Sequence, residues 1–348
     1  MRWKNRPEGS NWGDFGQDDQ IGTLNYLTRE VVRSAVQQVE IGQTFCLSLP
    51  LDYPGGNVLN ERRHPPAIAP TEKKGMLYTN FPIGKFYPGA MDVLSDDKVT
   101  LYLQYSTQWD ALAHAGALFD ADGDGHPERV YYNGYRPNID IEGLMDFEEG
   151  GEFNATRTGL KNSNAKAVDI SVIATQGVQG RGVMIDLFHH FGDDFRLIGF
   201  DELTQVIDAD KIEIRPGDIL VIRTNFAKKI LEMNRSPDPD KVHHMCAVLD
   251  GNDTRIHRWI TDRKIAAIAA DNYAVEEHPA KIQGECCHIL PLHHHCMFKL
   301  GLPLGELWYL TELADWLRAN NRHSFLLTAP PLRLPGAVGS PVTPIATV

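Results

Sequence analysis

No stretch of this sequence stays apolar for the ~18–20 residues that a membrane span needs. Positive charge is also scarce. There are 34 Lys and Arg against 46 Asp and Glu, a formal net charge of −12, which argues against nucleic acid or an anionic membrane as main partner. The first residues, from Met1 through Gly9, contain no apolar run of the kind that directs secretion, so a cytoplasmic location is expected. Cysteine is sparse, with five residues and no zinc-like or disulfide-framework spacing. Cys286 and Cys287 are adjacent, and reduced thiols are the simple reading. No internal repeat or low-complexity tract is present, nor a Gly-x-Ser-x-Gly elbow, a P-loop or a His-Glu-x-x-His motif. Gly177 to Gly182 is glycine-rich, but it precedes a strand pattern instead of following one, so it does not read as a phosphate loop.

What remains is a globular chain. Its 348 residues are 42% apolar and 23% charged, enough to bury a large core. Residues 1–26 carry Trp3, Trp12, Phe15 and several turn residues, and read as an ordered N-terminal arm. Thr28 is placed to N-cap a helix from Arg29 to about Val39. Thr44 to Leu51 reads as a strand, and the Pro- and Gly-rich residues 52–92 as a long loop. Val99 to Leu103, Gly182 to Leu187, Asp218 to Thr224 and Ile265 to Ala270 read as further strands, most of them apolar enough to be covered on both faces. Helices are expected over 253–262, 292–300 and 311–320, and an extended tail from Pro330. Asp120, Asp122, Asp124 and Gly125 imitate a calcium loop, but its twelfth position is Tyr131, so a solvated turn is expected. No linker divides the chain, so a single α/β domain over 1–348 is predicted.

Chemistry concentrates in one segment. Gln104, Gln108, Asp110 and His114 place two amides, a carboxylate and an imidazole within eleven residues, next to Trp109. A buried carboxylate has to be paired, ligated or neutral. By themselves these residues read equally well as a capping Asp and a His bonded to a backbone carbonyl. His293, His294 and His295 are consecutive, and on a helix at most one or two can face a common centre. Glu306 lies twelve residues past His294, beyond the break at Gly301 and Pro303. Asp271, Glu276 and Glu277 follow a strand, where capping and surface roles compete with function. The pairs His189–His190 and His243–His244 read as loop or interface residues.

The chain resembles the cyclase family of metal-dependent hydrolases, which includes bacterial kynurenine formamidases and isatin hydrolases. The resemblance runs nearly end to end: Asn11 through Asn25, Gly217 through Thr224, Leu300 through Trp308 and Gly339 through Pro341 carry it. The family hallmark is His-x-Gly-Thr-His-x-Asp-x-Pro-x-His. Registered on Asp110, it puts Gln104 and Gln108 at the two metal-binding His positions and His114 at the catalytic one. His294 and Glu306 match the spacing of a later His and Glu that also bind metal.

The resemblance implies a swivelling β/β/α domain with long loops that forms a homo-oligomer, a dimer or tetramer. It implies hydrolysis of an amide, cyclic amide or lactone of a small aromatic or cyclic substrate. Metal-activated water would attack, and His114 would act as acid and base. An amide oxygen is a weaker donor than imidazole, so one divalent metal, zinc or manganese, is expected on Asp110, His294 and Glu306, with Gln104 and Gln108 orienting substrate or a metal-bound water. Trp109 and Trp12 are expected at the substrate. Two other readings stay open. One is a metal-free hydrolase or lyase-type cyclase, with Gln104 and Gln108 donating to an oxyanion. The other is an inactive ligand-binding scaffold.

Overall fold

Apolar runs bounded by turns build the centre of a nine-stranded sheet. The computed structural model describes residues 2–143, 163–282 and 287–348. In chain order the sheet strands are β1 (Thr44–Cys46), β2 (Gln108–Asp110), β3 (Gln179–Asp186), β4 (Ile219–Arg223), β5 (Ala267–Ala270), β6 (Leu304–Glu306), β7 (Ser324–Thr328), β8 (Gly339–Pro341) and β9 (Ile345–Thr347). Their spatial order is β1-β9-β7-β3-β4-β5-β6-β2-β8. The four from β3 to β6 are parallel, and every pairing outside them is antiparallel. The result is the mixed α/β architecture that the sequence led us to expect.

Strand alternation sorts the central side chains into two cores. Met184, Ile219, Val221, Ala267 and Ala269 face one, where helices Ile170–Gln176 and Thr311–Ala319 add Ile173, Leu313 and Leu317. Val183, Ile185, Leu220, Ile222, Ile268 and Leu304 face the other, with Leu203 and Val206 of helix Phe200–Ala209 and Ile256 and Ile260 of helix Thr254–Arg263. A sheet covered on both faces explains why these strands read as continuous apolar runs.

Several expectations shift. The helix after Thr28 forms as Arg29–Val36, with the Thr28 side chain accepting from the Val31 N–H, but stops short of Val39. The strand from Thr44 ends at Cys46. The strand signal at 99–103 does not enter the sheet. Asp97–Thr100 pairs instead with Ala67–Pro70 in an exposed two-stranded ribbon, and residues 108–110 make the sheet strand themselves. Local alternation cannot tell a solvent ribbon from a core strand, because both have the same period. The excursion after residue 52 carries two more short ribbons, Glu72–Lys73 with Met76–Leu77 and Phe81–Pro82 with Val93–Leu94.

The N-terminal arm is ordered. Trp12 Nε1 donates to the Phe298 carbonyl at 2.8 Å and Asn11 Nδ2 to the Leu300 carbonyl at 2.7 Å. Both bonds anchor the end of a helix that starts at Pro291 and continues as a π-helix over His294–Lys299. The acidic turn at 120–125 spends its carboxylates on itself: Asp120 accepts from the backbone N–H groups of Gly123, Asp124 and Gly125. Cys286 lies outside the described residues, and Cys287 is exposed. Among the described residues no helix is long and apolar enough to cross a membrane.

Candidate active site

The site is assembled by a cross-strand pair. In the antiparallel register of β6 and β2, Glu306 stands opposite Gln108 and Gly305 opposite Trp109. Directly opposed residues share a face, and residues two apart on one strand share it as well. Gln108, Asp110 and Glu306 therefore project together, on the face where Leu304 packs. Gln108 Nε2 donates to Glu306 Oε2 at 2.7 Å. Trp109 goes to the opposite face, fully buried against Trp308, with its Nε1 donating to the Ala329 carbonyl at 2.8 Å. Gly305 has no Cβ because one would sit 2.9 Å from Trp308 Nε1 and 3.0 Å from both Ala269 Cβ and Trp109 Cζ3.

The third element is the helix that begins at Pro291. His293 Nε2 lies 3.4 Å from Glu306 Oε1. His293 Nδ1 lies 2.7 Å from Glu276 Oε1, and the same carboxylate accepts the backbone N–H groups of Leu292 and His293 at 2.8 Å. Glu276 thus satisfies the unpaired amides of the first helical turn and fixes the imidazole orientation at once. Gly251 makes room for it, since a Cβ there would collide with Glu276 Oε2.

One oxygen of Asp110, one nitrogen of His293 and one oxygen of Glu306 lie within 4.8 Å of one another. All three residues are buried. Glu306 and His293 are partnered as described, whereas neither carboxylate oxygen of Asp110 has a hydrogen-bond partner. The nearest cation donor is His114, with Nε2 3.9 Å from Asp110 Oδ2. Burial pushes the Asp110 acid up to about 6, with the His114 charge opposing and the Glu306 charge adding to the shift. Burial lowers His114 below its ordinary value, against the pull of Asp110. For His293, burial works against the charge, but hydrogen bonds to Glu276 and Glu306 outweigh it and raise the pKa to about 10.

His114, His293 and Glu306 border a cavity of about 250 Å³ whose wall also includes Gln104, Arg62 and Arg63. Gln104 packs over Gly339, where any Cβ would press on its amide. The Gln104 backbone carbonyl accepts from Arg63 Nη1 at 2.7 Å.

Three expected residues stand elsewhere. His294 does not join Asp110 and Glu306. It stacks on His288, with ring centroids 3.6 Å apart, and packs against Phe298. Adjacent helical residues point about 100° apart, so only one of the two faces the cluster, and it is His293, thirteen residues before Glu306. Trp109 and Trp12 are core residues with bonded indoles and are not in the cavity wall. Glu276 was legible only as a carboxylate after a strand. The signal that marks it is Pro291, which opens a helix whose next amides need an acceptor. Asp271 is a buried acceptor that pins the turn after β4, taking Thr224 N, Thr224 Oγ1 and Asn225 N. His190 pairs with Asp210, and His243 with the Tyr273 hydroxyl.

The family model named Cyclase, with the description "Putative cyclase", matches residues 39–277. The chain belongs to the Cyclase family. A solved structure described as a novel cyclase is 30% identical, with a TM-score of 0.73, over 97% of this chain and 99% of that one. The fold extends to more distant structures. Isatin hydrolase A from Labrenzia aggregata, bound to benzyl benzoate, is 13% identical with a TM-score of 0.54, over 93% of this chain and 98% of that one. Isatin hydrolase A from Ralstonia solanacearum is 12% identical with a TM-score of 0.52, over 87% and 91%. A search of curated proteins finds no match.

The donor set suits one small divalent cation. Imidazole nitrogen with two carboxylates is a ligand set for zinc or manganese, and the orphaned Asp110 oxygens supply the uncompensated negative charge such an ion would neutralise. Gln108 instead serves Glu306, holding the second oxygen of that carboxylate.

Proposed function

We propose that this chain is a hydrolase that cleaves an amide, cyclic amide or ester bond in a small molecule, using one divalent metal and His114. The observation that carries this reading is the Asp110 carboxylate, buried without a hydrogen-bond partner beside His293 and Glu306, the latter two in the wall of the cavity. Membership of the Cyclase family and the fold shared with isatin hydrolases agree with it.

Asp110, His293 and Glu306 would hold the metal, which supplies Lewis-acid charge to a carbonyl and makes water a better nucleophile near neutral pH. The chain's own groups do the rest. Glu276 orients His293 through Nδ1 and leaves Nε2 facing Glu306. Gln108 keeps Glu306 from turning by bonding its other oxygen. His114, neutral at pH 7 because burial lowers its pKa, takes a proton from the attacking water and returns it to the leaving nitrogen or oxygen. Such a proton shuttle contributes about 10²–10⁴ in rate. Gln104, on the cavity wall, positions the substrate carbonyl.

The test is turnover of a panel of formanilides, lactams and aryl lactones, measured alongside metal content after chelation and reloading. Asp110→Ala should lose both metal and turnover. His114→Ala should keep metal and lose turnover. Full activity in verifiably metal-free protein would defeat the metal part, and metal binding with no turnover across the panel would defeat the hydrolase.

A further inference from the structure

The cavity wall contains two arginines in an otherwise acidic protein. Arg62 and Arg63 come from the excursion after residue 52 and border the same cavity as His114, His293 and Glu306. Arg63 spends Nη1 on the Gln104 backbone carbonyl at 2.7 Å. The Arg62 Nε and its backbone N–H both meet Asn60 Oδ1, at 3.3 and 3.1 Å. Among the described residues neither guanidinium has a carboxylate partner. Among the described residues eleven other arginines reach an Asp or Glu, Arg181 and Arg223 among the buried ones. In a chain of net charge −12, these two stand side by side at a cavity without such a partner among the described residues.

Both arginines line the cavity wall together with His114 and His278. Among the described residues the one carboxylate in the wall is Glu306, and its oxygens are taken by Gln108 and His293. The guanidinium edges left over present a planar fork of N–H donors with no internal acceptor. A carboxylate matches that fork, whereas a neutral group would leave it unsatisfied. A cavity of about 250 Å³ admits a single ring bearing one carboxylate.

We propose that Arg62 and Arg63 form a carboxylate-recognition subsite, so that the substrate of this site is a small carboxylic acid carrying the amide or ester to be cleaved. The turnover part rests on the hydrolytic reading above, and the binding part does not. The subsite lies on the excursion rather than on the sheet, so it sets specificity while the strands set chemistry.

Two measurements on the full chain test it, the binding one made both with and without added metal. The first is calorimetric binding of benzoate and benzamide. Benzoate should bind about tenfold more tightly, and Arg62→Ala combined with Arg63→Ala should bring the ratio to about one. Arg62→Lys should keep part of the preference, since it keeps the charge and loses the fork. Arg62 is exposed on a loop, so Arg62→Ala alone serves if the double variant does not fold. Equal affinity for the two ligands overturns the proposal. So does a benzoate preference that survives in the arginine variants, because the carboxylate would then be held by the metal alone. The second is kcat/KM for 3-formamidobenzoate against formanilide, where water adds to the formyl carbon, the C–N bond breaks, and formate and the amine leave. The charged member should be favoured, with the ratio falling in Arg62→Ala. Hydrolysis of both members with no preference sinks the subsite and leaves the hydrolase standing. A benzoate preference lost in Arg62→Ala, with neither formamide cleaved, does the reverse.

Discussion

Replacing Asp110 with Asn removes a buried charge while keeping the shape of the side chain, and the structure fixes what should follow. In the metal-free protein the Asp110 acid is pushed from its ordinary 3.8 to about 6, chiefly by burial. A raised carboxylate pKa means the folded state binds the proton more tightly than the unfolded chain does. The associated stability is fully present below pH ~4 and is lost as pH rises through ~6. At ~1.4 kcal/mol per pH unit, the loss at pH 8 is ~3 kcal/mol. Asp110→Asn carries no charge to desolvate. Metal-free Asp110→Asn should therefore gain on the wild type by ~3 kcal/mol between pH 4 and pH 8. The metal effect runs the other way. Zinc or manganese at a hundredfold excess over its Kd should stabilise the wild type by ~2.7 kcal/mol and leave Asp110→Asn almost unchanged. Urea unfolding at both pH values, with and without metal after chelator treatment, measures all four quantities. The variant-minus-wild-type difference isolates Asp110 from the other titrating groups. A difference that does not change between pH 4 and pH 8 would refute the claim that Asp110 is an uncompensated buried acid. Full metal stabilisation of Asp110→Asn would refute its place as a ligand.

Three further outcomes are expected. Glu276→Gln removes the charge behind His293 and leaves one acceptor oxygen where Oε1 and Oε2 now take the His293 and Leu292 N–H groups, so metal affinity should fall about 10–100-fold in a competition titration, with some loss of stability in urea unfolding. Gly305→Ala places a methyl 2.9–3.0 Å from Trp308, Ala269 and Trp109. It should cost ~1–3 kcal/mol in urea unfolding and, by shifting the strand that carries Glu306, also weaken metal binding. Asp253 caps helix Thr254–Arg263 and accepts from the Phe200 N–H at the start of a second helix, so Asp253→Ala should cost ~1–2 kcal/mol. The Asp253 acid is held down at about 2, first by its bond to Arg255. Its contribution is therefore present above pH ~4 and fades as pH falls toward 2, and the gap between wild type and variant in acid unfolding should close over that window.

Much of this was legible in the chain. The apolar runs of β3, β4 and β5, the Thr28 cap and the polar density from Gln104 to His114 depend on neighbours within a few residues, and they appear near where the sequence puts them. Residues 99–103 show where that stops: a ribbon strand and a core strand share one period, and only pairing decides which is which. His293 and His294 show it again. The sequence places an imidazole near Glu306, but rotation about the helix axis is set by how the Pro291 helix packs and by Glu276, which lies fifteen residues upstream of Pro291.

From the sequence alone came the family, the layered α/β class, and the proximity of Gln108, Asp110 and His114, since these follow from local composition and from motif order. Tertiary structure alone decided that Gln108 holds Glu306, that the Asp110 carboxylate is buried without a hydrogen-bond partner, that Trp109 and Trp12 belong to the core, and that Arg62 and Arg63 reach the cavity. The physical reason is the same in each case. Strand register, helix rotation and the path of a long excursion are long-range quantities, fixed by which apolar faces bury each other, and no local pattern encodes them.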